Sequence, residues 1–188
     1  VPSRHRAEGH PQVLIIAPYG GPVSQSPSAG HVPAGRPTAC SRVWDDLGEP
    51  VWGTAARARF WVALEQPGPW GRKALTQSHL DPVVGAALED RCAQFGGRAL
   101  LFRAVGDHEV LGAPHRLYLA GRGAGAPWLL TGLLGDPAGL PDRLPWSALA
   151  AGDLPAVRAA LPELEPCPTP ILLVCTNAKR DACCAVRG

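Results

Sequence analysis

The chain has 188 residues, a formal net charge of +2 and 18% charged residues, a length suited to one domain or to one domain and part of a second. So weak a field gathers neither nucleic acid nor anionic lipid, and no apolar run reaches the roughly 18 to 20 residues of a membrane helix, so neither nucleic acid nor membrane is expected as a partner. Gly (22) and Pro (21) approach low-complexity levels, but hydrophobic residues reach 46% and can still fill a core.

Residues 1–39 are rich in Pro, Gly and Ser, contain the single acidic residue Glu8, and show no sustained helical or strand period. They are predicted to form a disordered arm. The other reading makes 13–17 a strand of the fold. That run is also shorter than the about 7 to 15 apolar residues of a secretory signal, and a cytoplasmic location is expected.

From Cys40 the pattern is that of a folded unit, an N-terminal α/β domain over 40–165. Residues 59–65, Arg-Phe-Trp-Val-Ala-Leu-Glu, predict a core strand, followed by a stiff corner at Pro67-Gly68-Pro69-Trp70-Gly71. Asp81-Pro82 signals a helix start, and Val84, Leu88, Cys92 and Phe95 recur at helical spacing before a stop at Gly96. On that stripe Cys92 reads as a small apolar filler without chemistry. Strands are predicted at 98–103, 116–120 and 127–134. The Gly-rich run 121–125 lacks the spacing of a phosphate loop and reads as a turn. Residues 135–169 are proline-rich, predicting a domain boundary with one short helix at 154–161.

Residues 170–175, Pro-Ile-Leu-Leu-Val-Cys, form a continuous apolar run, the pattern of a strand buried on both faces. Cys175 would close it at a sheet's carboxyl edge, where ligands gather in open α/β sheets. A polar loop follows, and Asp181 could cap a helix opening at Cys183-Cys184. A helix N-terminus flanked by Lys179 and Arg180 favours thiolate over thiol. Four of the six cysteines, Cys167, Cys175, Cys183 and Cys184, fall within the last 22 residues. In a reducing compartment such crowding points to metal or redox chemistry rather than to cross-links. The spacing matches neither the usual zinc pattern nor Cys-x-x-Cys, so on its own it supports a generic soft-metal or redox loop.

The run Cys175-Thr-Asn-Ala-Lys-Arg-Asp-Ala-Cys-Cys-Ala-Val-Arg-Gly188 resembles the ligand loop of the sucrase/ferredoxin-like family. Cys40-Ser41, Gly48-Glu49-Pro50, Gly53-Thr54-Ala55, the strand through Trp61 and Glu65, and the Pro67 to Gly71 corner resemble that family's N-terminal half, in order. The resemblance covers 40–188. It implies a thioredoxin-like fold, a mixed sheet flanked by helices, in which 166–188 begins a ferredoxin domain whose remainder is missing. It also implies a [2Fe-2S] cofactor held by Cys175 and Cys184, with Cys183 the less favoured substitute, and by two histidines of a His-x-x-x-His segment. No such segment occurs among His5, His10, His31, His79, His108 and His115, so the pair is expected beyond Gly188 and the chain is expected to be a fragment. Two neutral imidazoles in place of thiolates would raise the potential and make it pH-dependent.

The function so implied is electron transfer to or from a redox partner protein, without a catalytic residue. The alternatives are a thiol-based redox or sensing protein using a Cys175/Cys184 pair with Cys183 as a spare thiol, and a cluster-free interaction module. Despite the family's name, no paired carboxylates suggest glycoside hydrolysis.

Overall fold

The computed structural model describes residues 12–17, 47–48, 57–104, 114–123 and 126–175. Phe60-Trp-Val-Ala-Leu-Glu65 forms β2 (Phe60–Glu65). It lies between β3 (Arg98–Ala104), parallel to it, and β4 (His115–Arg122), antiparallel. A strand so placed must be apolar on both sides. Phe60, Val62 and Leu64 accordingly join one buried cluster, and Ala63 joins another on the opposite face. β3 and β4 divide in the same way, Leu101, Leu117 and Leu119 to the first face, Leu100, Phe102 and Tyr118 to the second.

The chain crosses from β2 to β3 through α1 (Pro82–Gln94), where the start and stop signals act as the sequence predicts. Asp81 Oδ1 accepts from Val83 N at 2.8 Å, Pro82 occupies the first turn, and Gly96 takes φ +75° just beyond the end. Val84, Leu88 and Cys92 are buried against the first face. β4 returns through β5 (Pro127–Leu134) as an antiparallel hairpin, and β5 pairs with the two-residue β6 (Glu165–Pro166). On the other side β1 (Gln12–Ala17) runs antiparallel to β3, and β7 (Ile171–Cys175) runs parallel to β1. The described strands thus form one mixed sheet in the order β6-β5-β4-β2-β3-β1-β7, and the fold is α/β.

Three expectations are corrected. Residues Gln12–Ala17 form β1 within the sheet rather than part of a featureless arm. The Pro/Gly content around them hides the strand because it removes any longer period. The proline-rich stretch carries α2 (Leu140–Arg143) and α3 (Trp146–Ala151) in addition to the one short helix expected there, α4 (Leu154–Ala160). Pro141 and Pro155 lie in first turns and Pro145 at a cap, positions where the missing N–H costs no helical bond. Finally, β7 is not buried on both faces. Among the described strands it lies at the sheet edge, with Leu172 56% exposed, since an apolar run alone does not separate a central strand from an edge. β6 and β7 hydrogen-bond into the same sheet as β2 to β5, so the sheet runs across the boundary drawn at 165/166.

Trp146 ties these helices to the sheet. Its ring stacks on Phe95 at 6.1 Å, lies 6.3 Å from Phe60, and its Nε1 donates to Pro141 O at 2.8 Å. Asp153 caps α4 by accepting from Ala156 N at 3.0 Å. Asp153→Ala is expected to cost about 1 kcal/mol and Asp153→Asn a few tenths, read from the urea midpoint. Equal losses would contradict the cap.

Candidate functional site

β7 presents Cys175 as its last residue. Cys175 pairs with Ile16, Ile16 with Phe102, and Phe102 with Glu65. One row across four strands therefore joins the cysteine to the carboxyl end of β2, roughly 14 Å away at the usual spacing between strands. Because β1 is antiparallel to β3, β7 points opposite to β2 and β3. The carboxyl edge expected for Cys175 is thus that of an edge strand whose described neighbour is β1. Cys183, Cys184, Asp181 and the loop between them lie outside the described residues, as does Cys40, and so do Cys40-Ser41, Glu49-Pro50 and Gly53-Thr54-Ala55 of the resemblance.

The motifs that are described have structural roles. The corner after β2 turns at Gly68, φ +88°. Trp70 is buried in the core, its Nε1 donating to Gln66 O at 3.1 Å, and the Arg103 guanidinium lies 4.5 Å above its ring. Burial lowers the pKa of that guanidinium. Among the described residues, no group of three or more His, Cys, Asp or Glu side chains is placed to hold a metal ion.

Two further cysteines are described. Cys167 is half-buried, its N–H donating to Leu129 O at 2.9 Å and its thiol to Thr169 O at 3.2 Å. Cys92 is buried on α1 as the sequence predicts, and burial pushes its thiol up to about 12. Since the folded state holds that proton more tightly than the unfolded chain, the stability it contributes is complete below about pH 9 and lost as pH rises toward 12. The difference in urea midpoint between the native protein and Cys92→Ala is therefore expected to narrow from pH 8 to pH 11. A constant difference would contradict this assignment.

The second face of the sheet opens on a cavity of about 640 Å³, a size typical of small-molecule sites. Trp61, Tyr118, Trp128, Cys167, Ile171 and Leu173 line it. Burial raises the pKa of the Tyr118 hydroxyl, and a Cβ at Gly121 would run into the Trp128 ring, so glycine there lets the indole approach the β4 backbone closely. Sequence reasoning missed this cavity. The available signal was that β2, β3 and β4 are apolar at successive positions, which requires a cover on both faces.

Comparison with protein-family models, with curated proteins and with solved structures gave no match to this chain.

Proposed function

We propose that this chain belongs to an iron-sulfur electron-transfer protein of the sucrase/ferredoxin-like type, in which Cys175 and Cys184 supply two ligands to a [2Fe-2S] cluster. The observation that carries this reading is the position of Cys175. It ends a hydrogen-bonded strand, which fixes its backbone, and Cys184 follows it in the sequence nine positions on. Support also comes from connectivity. The parallel β2-α1-β3 unit followed by the antiparallel β4-β5 hairpin, with β4 beside β2, is compatible with a thioredoxin-like core.

The donor chemistry fits in part. Thiolates are the ordinary ligands of iron-sulfur clusters, and Cys175 with Cys184 makes half a set. Cys92 cannot add to it, being buried and held protonated. On this reading the other two ligands are the histidines implied beyond Gly188. When bound, the cluster supplies one-electron transfer; the chain holds it beside the sheet edge, and a redox partner protein docks there.

The test is the intact gene product, expressed with ample iron and purified without oxygen. About two iron and two sulfide per chain, with visible absorption, are expected. A colourless, iron-free protein would overturn the proposal. A Cys175–Cys184 disulfide in that protein would favour thiol redox chemistry instead.

A further inference from the structure

The link between β6 and β7 constrains the shape of the whole sheet. Those strands are the two ends of the order β6-β5-β4-β2-β3-β1-β7, and in a flat sheet at the usual strand spacing they would stand about 29 Å apart. Ile171, which opens β7, comes five residues after Pro166, which closes β6, and so short a run of chain reaches about 18 Å at most. The sheet is therefore curled until its edges approach each other. The second face is the concave one, because Leu129 on β5 and Leu173 on β7, five strands apart in that order, pack against the same buried cluster of Ala63, Leu100, Phe102 and Tyr118. The cavity of about 640 Å³ lies on this side, and Cys167, Thr169 and Pro170 of the link form part of its wall. We propose that it is a chamber for one small, uncharged, hydrocarbon-rich ligand.

Small side chains make the room. Across β2 and β4, Ala63 pairs with Tyr118 and Ala120 with Trp61, so each large ring on this face stands beside a methyl group. A curled sheet of about this many strands has an interior that larger side chains fill, or that holds one small ligand when they do not. At about 30 Å³ for each water-sized group, the volume accommodates a molecule of about ten to twenty carbons.

The walls select its chemistry. Among the described residues lining the cavity none is Lys, Arg, His, Asp or Glu, so nothing there compensates a charge taken out of water. Water itself is a poor occupant, since it wants roughly two to four polar partners and Leu100, Leu129, Ile171 and Leu173 offer none from their side chains. The Cys167 thiol is already turned to Thr169 O at 3.2 Å. A hydrocarbon guest gains dispersion contacts with these walls and releases weakly held water. The rings of Trp61 and Tyr118 suit an aromatic one, packed offset or edge-on.

The test is a titration of the full chain with N-phenyl-1-naphthylamine, an uncharged probe whose fluorescence rises in apolar surroundings. Saturable binding of one probe per chain is expected, and naphthalene-1,5-disulfonate, with a charge at either end of its ring, is expected not to displace it. Ala120→Phe fills the chamber and is expected to weaken binding at least about tenfold. Val83→Ser removes an exposed apolar side chain from α1, outside the cavity, and is expected to leave binding unchanged. A second measurement needs no variant. Alkylation of Cys167 in the native protein by iodoacetamide, followed by peptide mass spectrometry, is expected to slow at least about threefold at saturating probe, because the ligand covers the wall on which that thiol lies. Absence of saturable binding, undiminished affinity in a folded Ala120→Phe protein, or an unchanged Cys167 rate would overturn the proposal. So would a Cys167 equally protected without the probe, which would mean that the chain or a second copy of it fills the chamber.

Discussion

Replacing Gly85 by alanine is expected to destabilise the fold by about 2 kcal/mol or more, against the usual gain of about 1 kcal/mol for glycine to alanine inside a helix. Gly85 lies in the first half of α1 on its buried side. A Cβ there would overlap the backbone carbonyl of Leu75, and the Leu75 carbonyl carbon would also be too close. A flexible side chain could turn aside, but a carbonyl belongs to the chain path of 72–80, whose Ala74, Leu75 and Leu80 are themselves buried in the core. Either α1 retreats from the sheet, loosening Val84, Leu88 and Cys92, or the 72–80 segment moves out. Both expose apolar area, and the steric term exceeds the propensity term. Gly135→Ala is the control, because a Cβ at Gly135 meets nothing within 4 Å, and its effect is expected within about 0.5 kcal/mol. Urea unfolding of the two variants decides the matter. Gly85→Ala as stable as the native protein would mean that α1 does not approach Leu75 so closely.

The elements legible in the sequence are those whose signals are local. Asp81-Pro82 and Gly96 bound α1 because caps act over one turn, and the strand at 127–134 agrees with β5 residue for residue because turn-forming glycines and prolines flank it. Position within the sheet was not legible. β1 and β7 pair with each other across more than 150 residues of chain, and no local pattern encodes such a partner. The same limit explains the edge position of β7. Its apolar sequence fits a strand covered on both faces, yet only pairing decides whether a cover exists. The cavity on the second face was illegible for a different reason. Its walls come from β2, β3, β4, β5 and β7, and it is the sheet order that assembles them. Of the expected cysteine site, the sequence placed Cys175 correctly at a strand end, but nothing local revealed that the strand points opposite to β2.

That placement sets the largest functional effect. In the intact protein, Cys175→Ser and Cys184→Ser are each expected to reduce bound iron to background, whereas Cys92→Ala, Cys167→Ser and Cys183→Ser retain it. The difference lies in what each sulfur can offer. A hydroxyl is a far weaker ligand than thiolate at neutral pH, so on the proposed reading loss of either cysteine leaves the cluster short of a thiolate. Cys92 has no such role, since burial holds its proton up to about pH 12. Cys167 lies on the cavity wall with its thiol directed to Thr169 O, before β7 begins. Cys183 is next to Cys184 in sequence, and the proposed reading takes Cys184 as the ligand, with Cys183 the less favoured substitute. Iron and sulfide analysis of the five variants, with the visible spectrum as a second measure, reads the result directly. Iron retained in Cys175→Ser would remove the strand end from the site. Iron lost in Cys183→Ser and kept in Cys184→Ser would move the second ligand by one position while leaving Cys175, and the row that joins it to β2, in place.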